Sequence, residues 1–89
     1  MINVKEAVAK ATEQAQELLG ANPSDLRLEE VEVLSRSQGN DVWAITLSMW
    51  APSPLGSGHG FHRTYKTFMI DSQTGDFIAM KIRELASAQ

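Results

Sequence analysis

The chain has 89 residues, no cysteine and a formal net charge of −3, from 8 Lys and Arg against 11 Asp and Glu. A chain of this length holds one hydrophobic core, so we expect residues 1–89 to form a single domain. The lack of cysteine excludes disulfides and thiolate metal sites, and the acidic balance disfavours a nucleic acid partner. Hydrophobic residues make up 43% of the sequence, which is typical of a globular protein.

No membrane span and no targeting segment are expected. The sequence contains no run of about 20 apolar residues, the length needed to cross a bilayer. At the N-terminus, no basic segment leads into an apolar stretch, which is the pattern of a signal peptide. The sequence therefore predicts a cytoplasmic protein.

The first predicted element is an amphipathic helix. Apolar residues recur every three or four positions from Val4 to Leu19, which is the spacing of one helix face. Asn3 and Glu6 have the spacing of a capping box, and Gly20 predicts the end of the helix. Most of the apolar face is alanine, so we expect another element, most naturally a twisted sheet, to pack closely against it.

Two strands are predicted next. In the segment from Leu26 to Leu34 the apolar residues alternate only in the second half, which indicates a half-buried strand with a bulge or a late start near Glu30. A turn at Gly39-Asn40-Asp41 follows. The segment from Val42 to Trp50 predicts a strand whose core face carries Trp43, Ile45, Leu47 and Met49.

The second half of the chain predicts a long loop and two further strands. Residues 51–62 are rich in Pro, Gly and Ser, which favours a loop. We expect strands from Arg63 to Ile70 and from Phe77 to Ile82, with core residues at Phe68, Ile70, Ile78, Met80 and Ile82. Residues 83–89 are expected to be frayed or to form a short helical extension.

This order of elements predicts an α+β fold. The apolar face of the helix and one face of the sheet must cover each other, which gives a two-layer sandwich of an N-terminal helix on a four-stranded, mostly antiparallel sheet. The order and the turn Ile70-Asp71-Ser72-Gln73-Thr74-Gly75, followed by Phe77 and Ile78, resemble PepSY-like domains, whose plan is close to that of cystatin-like folds.

The resemblance implies a non-catalytic module that binds or restrains a protein partner. Two features depart from the PepSY pattern. PepSY domains are typically exported or attached to membrane proteins, whereas no targeting segment is expected here. In addition, a long Gly- and Pro-rich loop before Arg63 is not a hallmark of the family. The hairpin loop used by cystatin inhibitors has no counterpart in residues 51–62.

An aromatic patch is the first candidate binding site. Trp50, Tyr65 and Phe77 alternate away from the predicted core residues, so they are predicted on the sheet face that the helix does not cover, with Leu55 in the adjacent loop. Aromatic residues in such positions are common interface anchors. Scattered surface aromatics are an equally good interpretation of the same pattern.

His59 and His62 are the candidate metal ligands. Two imidazoles three residues apart can bind one metal ion, but the sequence fixes no further ligand, so an ordinary exposed loop is the simpler interpretation. Gly56-Ser57-Gly58 lacks the lysine and the following helix of a phosphate-binding loop. The glutamates at positions 29, 30 and 32 indicate a solvated edge that discourages strand addition rather than a catalytic or calcium site.

Three functions follow from these features. The first is a small protein-binding or regulatory module that uses the exposed sheet face and the 51–62 loop to bind another protein or a second copy in a homodimer. The second is a metal- or small-molecule-binding protein that uses His59 and His62. The third, an enzyme, is the least favoured, because one helix on a short sheet encloses little space. We therefore predict a non-enzyme without a cofactor.

Overall fold

The predicted α+β fold is confirmed. The computed structural model describes residues 1–52 and 61–82, and the side chains of residues 1–50 and 62–82. The helix α1 (Val4–Leu19) and a short 3-10 turn (Pro23–Asp25) precede four strands, which are β1 (Arg27–Leu34), β2 (Val42–Pro52), β3 (Phe61–Asp71) and β4 (Phe77–Ile82). The strands form one antiparallel sheet in the order β1-β2-β3-β4. Within the described ranges, no helix has the length and apolar character needed to cross a membrane.

The two caps of α1 and the alanines of its predicted apolar face agree with the prediction, whereas Val4, Leu18 and Leu19 of that face are exposed. The Asn3 side chain accepts a hydrogen bond from the Glu6 backbone N–H at 2.8 Å, and the Glu6 carboxylate accepts one from the Asn3 N–H at 3.0 Å. Gly20 ends the helix with φ 64°, a left-handed conformation that glycine adopts without strain. The fully buried residues of the helix are Ala7, Ala11 and Ala15. Since their side chains are single methyl groups, α1 lies close to the sheet.

The core lies between α1 and the central strands. Ile45, Leu47 and Met49 of β2 are buried there together with Phe68 of β3, and Trp43 packs at the margin of this cluster. The predicted core face of β2 is therefore confirmed. We call this side of the sheet the helix side and the other the outer face.

Strand pairing extends further than predicted at the β2–β3 hairpin. Ala51 pairs with His62 and Pro52 with Phe61, so two residues at each end of the predicted loop belong to the strands. Proline has no N–H to donate, which a strand tolerates at its end. The remaining loop residues, 53–60, and the tail, 83–89, lie outside the described residues.

Two shifts of strand register change which face of the sheet the neighbouring side chains occupy. The first lies in β1 between Leu28 and Glu30, where the sequence predicted a bulge. The second was not predicted. It lies opposite the step from Met69 to Ile70, where β4 contains one extra residue between Phe77 and Ala79. A bulge of this kind reverses which face the flanking side chains occupy.

The turn between β3 and β4 is held by the Asp71 side chain. One carboxylate oxygen accepts hydrogen bonds from the backbone N–H groups of Gln73 and Thr74 at 2.8 and 2.9 Å. Gly75 follows with φ 80°. Asn40 and Arg36 donate to the same carboxylate at 3.1–3.3 Å. The Asp-x-x-Thr-Gly pattern is thus explained locally, because one carboxylate satisfies the amides of a tight turn.

Candidate functional site

Two of the three predicted patch aromatics share the outer face. Trp50 pairs across the strands with Arg63, and Tyr65 pairs with Ser48, so the two rings are diagonal neighbours on β2 and β3. Trp50 is 50% exposed and Tyr65 is partly exposed. The structure therefore brings Trp50 and Tyr65 to one surface, as the alternation of the strands predicted.

Phe77 does not belong to this patch. It pairs with Ile70 on the helix side, and its ring lies against Phe68 with centroids 6.4 Å apart. The extra residue in β4 is the physical reason, because it turns Phe77 to the face opposite the predicted one. The same irregularity exposes Ile78, and Ile82 at the end of the strand is also exposed, so both predicted core positions are wrong. Met80 does pack on the core.

The remaining predicted site residues are only partly described. Leu55 and His59 lie outside the described residues. His62 is a strand residue of β3 opposite Ala51, and not a loop residue as predicted. Within residues 1–50 and 62–82, no three His, Asp or Glu side chains lie close enough together to hold a metal ion.

Arg63 is the centre of a polar network on the outer face. Its guanidinium donates to the Asp25 carboxylate at 3.3 Å and to the Asp25 backbone oxygen at 3.0 Å. The Trp50 backbone N–H donates to the other carboxylate oxygen of Asp25 at 2.7 Å. Arg63 also lies over the Trp50 ring, 5.1 Å from its centroid. Asp25 therefore binds the backbone N–H of the exposed tryptophan, and Arg63 contacts its ring.

Ser48 belongs to this network and carries a hydroxyl group, which can act as a nucleophile in enzymes. In this protein the hydroxyl is not accessible to a substrate. Its hydroxyl donates to the Glu29 carboxylate at 2.7 Å and accepts from the Arg63 Nε at 3.0 Å. The residue has 0% exposure. A hydroxyl that is buried and bonded on both sides acts as a structural link between β1, β2 and β3, not as an attacking group.

The largest departure from prediction is β1, which was expected to be half-buried. Every residue of this strand is exposed. The cause is the lateral position of α1, which packs on β2, β3 and β4. As a result Leu28, Val31 and Val33 point to the helix side and yet remain 51%, 37% and 47% exposed. We call these three side chains the apolar row.

The opposite side of β1 is acidic in the middle of the strand and carries Arg27 and Leu34 at its two ends. Glu30 pairs with Thr46 and Glu32 pairs with Ala44, so both carboxylates belong to the outer face. We call these two residues the acidic row. Among the strands of the described residues, β1 is also the first in the sheet order, so within them it has a neighbour on one side only. It therefore combines a free main-chain edge, an apolar row and an acidic row.

A shallow depression of about 330 Å³ lies elsewhere, between α1 and the turn before β4. Its wall is mainly apolar by area, although three charged helix residues contribute to it, and the depression is more open than enclosed. It is lined by Ile2, Glu6, Ala9, Lys10, Glu13, Thr74 and Gly75. Glu6 is already engaged in capping α1. The depression lacks the enclosure typical of a small-molecule site.

The acidity of the Asp71 carboxyl group is perturbed. The backbone N–H groups of Thr74 and Gln73 lower the pKa of Asp71 below its ordinary value, and the Asn40 amide adds to this effect. Hydrogen bonds to the charged form are the cause. Because this carboxylate is bound by its own turn and by Asn40 and Arg36 of the β1–β2 connection, we interpret the shift as a feature of stability.

The sequence predicted that the glutamates of β1 discourage strand addition, and it did not predict that the apolar side chains of this strand are exposed. The signal was present, because Leu28, Val31 and Val33 alternate with glutamates in a strand, but the same pattern fits a strand covered by the helix. Only the position of α1 over the other three strands distinguishes the two cases.

Comparison of the chain with protein-family models, curated proteins and solved structures gives no match.

Proposed function

We propose that this protein is a non-catalytic protein-binding module that receives an extended segment of a partner protein along β1. One observation carries the proposal. The apolar row lies on the helix side of the sheet, but α1 lies over the other strands and leaves the row 37–51% exposed. Aliphatic side chains aligned on one face of an edge strand are a cost to a protein unless a partner covers them.

A strand added beside β1 would use both the main-chain edge of β1 and its apolar row. Its backbone would pair with the peptide groups that an edge strand leaves unpaired, and this main-chain pairing is the source of affinity in strand addition. Its side chains on the helix side would lie beside Val31 and Val33 and bury them. A helix or a globular surface would cover the apolar row but would leave the edge unpaired.

Selection from a library of random peptides tests this proposal. Peptides are selected on the wild-type protein and retested on the double variant Val31→Asp/Val33→Asp, which places charge in the apolar row. Both side chains are exposed, so we expect this variant to fold. Ile78→Asp is the matched control, because Ile78 is similarly exposed on β4 at the opposite edge of the sheet.

The proposal predicts peptides that bind the wild type and Ile78→Asp equally and lose at least about tenfold in affinity on the double variant, as expected when apolar contacts are replaced by charge. Peptides that bind all three proteins equally would locate binding away from β1. In that case the role of the apolar row in the proposal is wrong.

The outer face is a second candidate surface for the same function. Trp50 is half exposed there, next to Tyr65, and Arg63 packs over its ring. An exposed tryptophan that packs against an arginine is a typical interface anchor. If this surface binds the partner or mediates a homodimer, Trp50→Ala abolishes the complex in light scattering after size exclusion, and the β1 variant leaves it intact.

Three earlier expectations stay predictions within this proposal. These are the resemblance to PepSY-like domains, the cytoplasmic location and metal binding through His59 and His62. Zinc titration of the wild type and of His62→Ala tests the last of them. A protein-binding role agrees with what the resemblance implies, but the exposure of β1 supports it independently.

A further inference from the structure

We infer that the segment received by β1 is basic, with lysine or arginine alternating with apolar residues. This inference rests on the proposed function and deepens it by naming the chemistry of the partner. It follows from the two rows of β1, which lie on opposite faces of the same strand.

The acidic row selects the charge of the added strand. Side chains directly across an antiparallel pair lie about 5 Å apart, and opposite charges there are favourable whereas like charges are unfavourable. A strand beside β1 would place every second side chain on the outer face, next to Glu30 and Glu32. Arg27 is the one cation within β1, so the strand has a net negative charge. The formal charge of −3 of the whole chain acts in the same direction.

The apolar row selects the other residues of the added strand. Because side chains alternate between faces, the residues between the cations fall on the helix side beside the apolar row. Apolar side chains there bury Val31 and Val33 and are buried by them. The recognised pattern is thus cation, apolar, cation, apolar, in an extended conformation.

A second copy of this chain fits the edge poorly. The antiparallel alignment that pairs Val31 with Val33 of a second copy also places Glu32 directly opposite Glu32 of that copy. Centring the pair on Val31 instead places Glu30 opposite Glu32 of the second copy. Both alignments that place Val31 beside a valine of the second copy therefore oppose like charges. Centring the pair on Val33 places Glu32 opposite Leu34, but it leaves Val31 opposite Ser35, which lies outside β1. The glutamates disfavour self-pairing and favour a basic strand.

Fluorescence anisotropy with designed peptides tests the inference. The probe is the labelled peptide Thr-Lys-Val-Lys-Val-Lys-Val-Thr, and the matched control has glutamate in place of each lysine. A peptide with the same composition but with its lysines and valines in separate blocks tests the alternation. The proteins are the wild type, Glu30→Gln/Glu32→Gln, which removes the charges, and Glu30→Lys/Glu32→Lys, which reverses them.

We expect the alternating lysine peptide to bind the wild type at least about tenfold more tightly than the glutamate peptide, because several cross-strand charge pairs change sign. The Gln variant should bind the two peptides about equally, and the Lys variant should prefer the glutamate peptide. Equal binding of both peptides to the wild type, or tighter binding of the block peptide, would overturn the inference.

The outcomes separate this inference from the proposed function. Equal binding of both alternating peptides that is lost in Val31→Asp/Val33→Asp would leave the proposed function intact and refute the charge preference. Failure of every peptide to bind, or binding that the Val31→Asp/Val33→Asp variant retains, would count against both. If the wild type elutes as a dimer and the Val31→Asp/Val33→Asp variant as a monomer, the partner of β1 is a second copy of the chain and not a basic segment.

Discussion

The ring of Phe77 packs against the ring of Phe68 on the helix side of the sheet, with centroids 6.4 Å apart and planes inclined at 48°. A regular β4 would have turned Phe77 to the outer face. The bulge between Phe77 and Ala79 gives the core an aromatic residue and exposes Ile78 instead. This one irregularity decides which residues of β4 stabilise the protein and which are free for other roles.

Alanine substitutions at neighbouring positions test the bulge. We expect Phe77→Ala to lower the free energy of unfolding by about 2–4 kcal/mol, because a partly buried ring leaves the core. Ile78→Ala should lower it by less than about 1 kcal/mol, because that side chain is largely in water. Urea denaturation of the two variants measures both values. If Ile78→Ala lowers the free energy of unfolding more than Phe77→Ala does, β4 is a regular strand without the bulge.

The close approach of α1 to the sheet predicts that its alanines cannot be enlarged. Ala11 has 0% exposure, so Ala11→Leu should destabilise the protein by about 1–3 kcal/mol through overpacking. Ala9→Leu is the control, because Ala9 is exposed on the same helix. Thermal unfolding followed by circular dichroism compares the variants. If both variants melt at the same temperature, the helix does not lie as close to the sheet as described.

The lowered pKa of Asp71 predicts a pH-dependent contribution to stability. An unfolded aspartate titrates near about 3.9, and the folded group titrates lower. The stabilisation is therefore fully present above the unfolded pKa and is lost as the pH falls through the folded pKa. Asp71→Ala should be less stable than wild type at neutral pH, and the difference should shrink below about pH 4. Urea denaturation at several pH values measures the difference. A constant difference down to strongly acidic pH would show that the carboxylate charge has no part in it.

The Arg63 network predicts that lysine cannot replace this arginine. Arg63 uses three nitrogen atoms to bind Ser48 and both an Asp25 carboxylate and carbonyl oxygen, while its plane covers Trp50. Lysine has a single ammonium group and cannot reproduce this fork. We expect Arg63→Lys to cost about 1–3 kcal/mol in the free energy of unfolding. Trp50 fluorescence should shift as its ring becomes mobile. Stability and fluorescence equal to wild type would contradict the network.

The elements that could be predicted from sequence depend on local periodicity. The capping box of Asn3 and Glu6 and the core face of β2 follow from spacing alone, because each is fixed by neighbouring residues. The bulge next to Phe77 could not be predicted in this way, because it is set by pairing with β3. The exposure of Val31 depends on the lateral position of α1, which is a property of three-dimensional packing. The candidate site lies where that packing leaves one strand uncovered.

Amide hydrogen exchange, followed by NMR with and without the alternating lysine and valine peptide, tests the central claim most directly. A partner strand beside β1 must hydrogen-bond the amides of β1 that point away from β2. We expect the peptide to slow exchange at those amides and to leave the amides of β4, at the opposite edge, unchanged. Protection in β4, or exchange in β1 that the bound peptide does not alter, would contradict the claim that β1 is the docking strand.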